Sequence, residues 1–114
     1  MLELDETSFD REIAGEPLVV DFWAPWCRPC RAIEPILESL EDRVRVARLN
    51  IDEHPAIASR YSVLSIPTVM LFAGGEARGS LVGARPQAHF ERWLAEVLPA
   101  AELDGVAAQR RDDA

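Results

Sequence analysis

Residues 18–30 read LVVDFWAPWCRPC, and the prediction of the fold starts from them. Its first six residues form an almost continuous run of branched and aromatic side chains, which is typical of a strand buried on both faces. Two cysteines follow at the spacing Cys-x-x-Cys, as Cys27 and Cys30. Pro29 between them suits the first turn of a helix, where a missing N–H costs nothing. The stretch therefore predicts a buried strand that leads through a short loop into a helix.

The flanking sequence predicts an α/β fold with a mixed sheet. Helical periodicity continues to about residue 40, with a kink expected at Pro35 because proline cannot donate to the carbonyl one turn earlier. The glycine pair Gly74-Gly75 is a strong hairpin signal. The other predicted elements are a strand at 2–4, a helix at 7–13, a strand at 44–51, a short helix from His54 to near Tyr61, strands at 68–72 and 77–82, and a final amphipathic helix from Pro86.

Length and composition limit the chain to one globular domain. It has 114 residues, of which 48% are hydrophobic and 28% charged, with a net charge of −8. We expect no nucleic-acid partner, because no basic stripe is present, and no membrane span or signal peptide. We expect a cytoplasmic protein whose domain covers residues 1–101, followed by a charged, flexible tail at 102–114.

The spacing of Cys27 and Cys30 is open to three interpretations. A zinc site needs two further ligands, and the only histidines, His54 and His89, lie outside any finger pattern. An inert structural bridge across so short a loop would add little stability, and a reducing compartment would open it. A redox-active dithiol suits both the spacing and the position, because N–H groups at a helix start stabilise a thiolate at Cys27.

Several segments resemble the thioredoxin family, in the order and spacing that the family shows. The resemblance covers roughly residues 2–98. Its segments are VDFWAPWCRPC at 20–30, RLNID at 48–52, SIPT at 65–68, LFAGG at 71–75 and VG at 82–83. It implies the thioredoxin fold, with a mixed central sheet flanked by helices on both faces.

The resemblance also implies an activity, namely the reduction of protein disulfides. Cys27 would attack the client disulfide, and Cys30 would resolve the mixed disulfide. The recycling partner would be the NADPH-dependent flavoprotein thioredoxin reductase. We expect a monomer that acts on disulfide-bearing client proteins and holds no cofactor and no metal.

By resemblance, a flat apolar surface around the cysteines would bind clients, and the backbone of Ile66 would pair with the client strand. The bond between Ile66 and Pro67 would be cis. For Ile51 and Val82, a place in the core is an equally good interpretation. The surface would comprise Trp26, Ile51, Ile66, Pro67, Val82, Gly83 and Ala84.

Asp21 is the one charged residue in the apolar run. Burial would raise its pKa and make it a proton acceptor for Cys30, whereas a strand-end position would leave it facing solvent. Two residues depart from the commonest family pattern: Arg28 replaces a glycine, and Arg48 replaces a lysine near Asp21. We expect Arg28, Pro29 and Arg48 to tune the redox chemistry.

Two rival functions remain open at this point. An oxidase or isomerase becomes more credible with Arg28, because a nearby positive charge favours the thiolate of the reduced state. A binding or chaperone module without catalysis would use the apolar surface alone, and the intact cysteine pair argues against it.

Overall fold

The structure, a computed structural model, describes the backbone of residues 1–113 and the side chains of residues 1–103. No helix in this described part is long and apolar enough to cross a membrane. A turn of 3-10 helix, Leu40–Asp42, follows the third α-helix. The elements in chain order are β1 (Leu2–Glu3), α1 (Phe9–Ile13), β2 (Leu18–Trp23), α2 (Arg28–Ala32), α3 (Glu34–Ser39), β3 (Arg45–Asn50), α4 (Pro55–Arg60), β4 (Thr68–Ala73), β5 (Glu76–Val82) and α5 (Gln87–Asp113).

The strands form one mixed sheet in the order β1-β3-β2-β4-β5. Strands β1, β3 and β2 are parallel, whereas β4 runs antiparallel to both β2 and β5. Strand β2 lies at the centre, and all its residues except Trp23 are buried, as its continuous apolar run predicts. The predicted α/β fold with a mixed sheet is confirmed.

Alternation along β2 assigns its side chains to two separate cores. Val19 packs with residues of α3 and α5, while Val20 and Phe22 pack with residues of α1 and α4. Helices therefore cover both faces of the sheet. Because successive side chains of a strand point to opposite faces, Asp21 lies on the same face as Val19, under α3.

The two predicted backbone features are both present. Gly74 and Gly75 have positive φ angles of 61° and 86° and join β4 to β5 in a hairpin. The helix after the cysteines divides into α2 and α3 with Ile33 between them, because Pro35 has no N–H to continue the hydrogen-bond ladder. The division makes Glu34 the first residue of α3.

The last helix is longer than the sequence analysis expects. We predicted a tail from residue 102, but α5 continues to Asp113. Residues 102–113 contain alanine, glutamate, leucine, glutamine and arginine, which favour a helix, and the helix also includes Gly105, which does not. The side chains of residues 104–113 and the whole of Ala114 lie outside the described part. The domain boundary after Ala101 and the flexibility of 102–114 stay predictions.

Candidate active site

The two cysteines lie where the loop after β2 enters α2, as the sequence predicts. Cys27 is the N-cap residue, with φ −87° and ψ 105°, and Pro29 occupies the first turn. A disulfide joins Cys27 to Cys30 across a Cα–Cα distance of 5.3 Å. The backbone N–H of Cys30 donates to Sγ of Cys27 at 3.2 Å. The helix start therefore directs a hydrogen-bond donor at the first sulfur.

An open cleft of about 570 Å³ lies beside Cys27. The Sγ atom of Cys27 is 3.9 Å from the carbonyl oxygen of Ile66. The Ile66–Pro67 bond is cis, as the resemblance implies. The cleft is lined by Trp26, Cys27, Arg28, Pro29, Ile51, Val63, Leu64, Ser65 and Ile66.

The surface residues predicted from 82–84 lie next to the cis-proline and do not line this cleft. The N–H of Gly83 donates to the carbonyl oxygen of Pro67 at 2.8 Å, so the two segments are in contact. Val82 is 45% exposed, which makes its interpretation as a core residue wrong. Ala84 is exposed. Ile51 is half-buried: it packs against the core and also lines the cleft.

Trp26 projects from the loop between β2 and α2, with 66% of its surface exposed. Its indole Nε1 donates to Oδ2 of Asp52 at 2.8 Å. Asp52 is held in turn, because its N–H donates to Oδ1 of Asn50 at the end of β3. This role of Asp52 was not predicted. The signal was the Asn50-x-Asp52 turn, which places an acid next to Ile51, a residue already predicted for the surface.

Asp21 is buried in the sheet, with 3% exposure, so its interpretation as a solvent-facing acid is wrong. Within the described residues, its Oδ1 atom has no hydrogen-bond partner. Burial raises the pKa of Asp21 to about 7, although the positive charge of Arg48 lowers the pKa and the negative charge of Glu34 raises it. The site thus holds a carboxyl group that titrates near neutral pH.

Arg48 is directly opposite Asp21 in the pairing of β2 with β3. Its guanidinium forms ion pairs with Glu3 and, at 3.2 Å, with Glu34. It also lies 4.2 Å from the centroid of the Trp23 ring. Arg28, at the start of α2, is exposed at the edge of the cleft. The position of Arg48 near Asp21 is as predicted, whereas the ion pair of Arg48 with Glu34 was not predicted.

The two histidines lie in different helical segments. His54 precedes α4, and His89 is in the first turn of α5. Among the described side chains, no group of three or more His, Cys, Asp and Glu residues is arranged to hold a metal ion. The two cysteines are bonded to each other rather than divided between other partners.

Comparison with known proteins gives the same family. The family model for thioredoxin matches residues 1–96. The chain belongs to the thioredoxin family. It is 43% identical over 102 residues to the thioredoxin of Alicyclobacillus acidocaldarius subsp. acidocaldarius. This match covers 85% of this chain and 97% of the relative.

Two further thioredoxins are similarly related. The match to that of Rickettsia bellii (strain RML369-C) is 44% identical and covers 78% of this chain and 90% of the relative. The match to that of Streptomyces clavuligerus is 47% identical and covers 73% of this chain and 82% of the relative. With the thioredoxin fold and a Cys-x-x-Cys pair, the chain is a thiol–disulfide oxidoreductase that reduces protein disulfides.

Proposed function

We propose that Cys27 attacks the disulfide of a client protein and that Cys30 resolves the resulting mixed disulfide. The observation that carries this assignment is the position of the first sulfur. Cys27 lines the open cleft and accepts the N–H of Cys30, and such a donor stabilises a thiolate. Both cysteines are largely buried, but Cys30, which lies one turn further into α2, does not line the cleft.

The exchange proceeds in two steps that transfer two electrons to the client. The Cys27 thiolate attacks one client sulfur, a bond forms between them, and the other client sulfur leaves as a thiolate. The Cys30 thiol then loses its proton and attacks the sulfur of Cys27. The bond between Cys27 and the client breaks, the client leaves with two thiols after protonation, and the Cys27–Cys30 disulfide remains.

Asp21 accepts the proton of Cys30 in the second step. Its raised pKa of about 7 supports this role, because a general base works best when its pKa lies near the working pH. Asp21 also lies on the face of β2 that α3 covers. This position supports the role, because Cys30 lies in α2, which leads through Ile33 into α3.

Clients bind along the cleft and across the neighbouring cis-proline. The carbonyl oxygen of Ile66, which lies beside the Cys27 sulfur, accepts a backbone N–H of the client strand. The exposed indole of Trp26, fixed by Asp52, supplies apolar contact area. The whole docking surface comprises Trp26, Ile51, Ile66, Pro67, Val82, Gly83 and Ala84.

The protein works as a monomer in the cytoplasm and is recycled by NADPH-dependent thioredoxin reductase. A reductase needs an electron donor to reopen its disulfide after each turnover, and reducing systems of this kind operate in the cytosol. A monomer keeps the cleft open to large clients. No bound cofactor takes part, because the dithiol itself carries the electrons.

A second candidate function is disulfide oxidation or isomerisation, which Arg28 favours. Its exposed guanidinium follows Cys27 in the chain and lines the same cleft, so it stabilises the thiolate and with it the reduced form. Solvent and salt weaken this interaction at an exposed site. Arg28 alone is therefore too weak an influence to turn the reductase into an oxidase.

Two serine variants test the roles of the cysteines. Cys27→Ser should abolish reduction of an insulin-like substrate, whereas Cys30→Ser should accumulate a covalent adduct with it, visible on a non-reducing gel and released by a thiol. Equal loss of activity in both variants without an adduct would contradict the assignment. If the parent protein bound clients and prevented their aggregation without reducing their disulfides, the binding module would become the better interpretation.

A further inference from the structure

The guanidinium of Arg48 lies among acidic groups but is paired with only some of them. It lies on β3 directly opposite Asp21, and both side chains are on the face of the sheet that α3 covers. Its ion pairs go to Glu3 and Glu34, and within the described residues none joins it to Asp21. The ring of Trp23, 4.2 Å away, supports the guanidinium in this position.

Glu34 reaches Arg48 from a different element of the fold. It is the first residue of α3, one helical turn after Cys30, and its position follows from the break before Pro35. Its side chain is 39% exposed, and its Oε1 atom accepts from Nη1 of Arg48 at 3.2 Å. An acid in the first turn of a helix is also electrostatically favourable.

We propose that Glu34 is a positioning residue for proton transfer at Asp21, because its carboxylate holds the Arg48 guanidinium against Trp23 rather than against the carboxyl of Asp21. The proposal rests on the role of Asp21 as proton acceptor in the resolving step. It adds that the ion pair between α3 and β3 keeps the Arg48 guanidinium away from this proton acceptor.

The groups around Asp21 give the sign of the effect. On β3 the neighbour is Arg48, on α3 it is Glu34, and α2 carries the cysteines, while the β4 neighbour is the apolar Val69. Burial raises the pKa of Asp21, Arg48 lowers it and Glu34 raises it. The N-terminal strand contributes only Glu3, which is exposed and paired with the same guanidinium. From α5 the residues in this core, Phe90, Trp93, Leu94 and Ala101, carry no charge.

Replacement of Glu34 by glutamine acts on Asp21 in two ways with the same sign. It removes a negative charge, and it releases Arg48 to approach the buried carboxylate. Both changes favour the ionised form, so the pKa of Asp21 should fall by on the order of half a unit. Replacement of Arg48 by glutamine should raise the pKa instead.

The test measures the titration of the Asp21 side-chain carboxyl by carbon NMR in the oxidised full-length protein. In this state neither cysteine titrates, so the transition belongs to the carboxyl alone. Glu34→Gln should lower the midpoint, and the control Glu38→Gln, one turn further along the exposed side of α3, should leave it unchanged. A midpoint that stays or rises in Glu34→Gln overturns the proposal.

A double variant separates positioning from the direct effect of charge. In an Arg48→Gln background there is no guanidinium to hold, so Glu34→Gln should lower the midpoint clearly less than in the parent. Equal shifts in the two backgrounds would show that Glu34 acts only through its own charge, which overturns the positioning role.

The pH–rate profile of the resolving step distinguishes this proposal from the proposed function. If Asp21 accepts the proton of Cys30, the midpoint of the profile should move with the NMR midpoint in Glu34→Gln. An NMR shift without a kinetic shift would support the coupling of Glu34 to Asp21 but refute Asp21 as the base. No shift in either measurement would refute the positioning proposal.

Discussion

Replacing Asp21 by asparagine should change how the stability of the oxidised protein depends on pH. Burial raises the pKa of Asp21 to about 7 in the folded state, from the ordinary value of 3.8 that applies to an exposed carboxyl. Between these values the unfolded chain has lost the proton while the folded chain retains it. The folded state then binds more protons, so the free energy of unfolding falls as the pH rises through this range.

The magnitude follows from about 1.36 kcal/mol for each pKa unit. A difference of about 3 units costs the folded protein on the order of 4 kcal/mol at about pH 8. Because the unfolded carboxyl is already partly ionised at about pH 4.5, about 3 kcal/mol of this cost develops between about pH 4.5 and 8. Asparagine does not titrate, so Asp21→Asn should gain about this much relative to the parent across that range. Any constant cost of burying the amide cancels.

Urea unfolding of the two oxidised proteins at about pH 4.5, 6 and 8 measures this difference. Groups other than Asp21 titrate in both proteins and largely cancel. The variant Asp42→Asn, at an exposed position, controls for the loss of one negative charge. If the stability difference between Asp21→Asn and the parent changed by less than about 0.5 kcal/mol over the range, the carboxyl would not be held neutral by burial and the reasoning would fail.

Two further predictions concern the edge of the cleft and the end of the chain. Arg28→Gly should lower the reduction potential of the cysteine couple by only about 10 to 20 mV, because solvent and salt screen an exposed charge beside the cleft. A fall of more than about 60 mV, measured against a glutathione redox buffer, would favour the oxidase interpretation. Truncation after Ala101 should preserve insulin reduction and change the melting temperature by less than about 4 °C, since Leu103 is 74% exposed. A larger fall would show that the end of α5 stabilises the domain.

Local signals in the sequence account for most of the fold. The apolar run of β2, the glycine pair before β5 and the proline that divides α2 from α3 each act within a few residues, so each can be read without knowledge of the tertiary structure. The end of α5 gives no such signal. The only large apolar residues at 102–113 are Leu103 and Val106, so the sequence has no apolar periodicity there to mark where the helix ends.

The site divides in the same way between local and tertiary information. The spacing of Cys27 and Cys30 and the acid inside β2 are visible in one short stretch. The contacts of Glu34 with Arg48 and of Trp26 with Asp52 join elements that are 14 and 26 residues apart. The Asn50-x-Asp52 turn indicates where the acid lies but not that it binds Trp26, and no local pattern indicates the pairing of Glu34 with Arg48. Only the tertiary packing brings each pair together.

The stability effect and the catalytic proposal have a common physical origin. Asp21 is a buried carboxyl with one oxygen that has no partner among the described side chains, and it destabilises the folded protein at neutral pH. The same burial brings its pKa close to the pH at which a base must work. A substitution that removes this destabilising carboxyl should therefore also slow the proton transfer from Cys30. Asp21→Asn should gain stability relative to the parent between about pH 4.5 and 8 and yet resolve mixed disulfides more slowly. A variant that was both more stable and equally fast would separate the two and assign the proton of Cys30 to another acceptor.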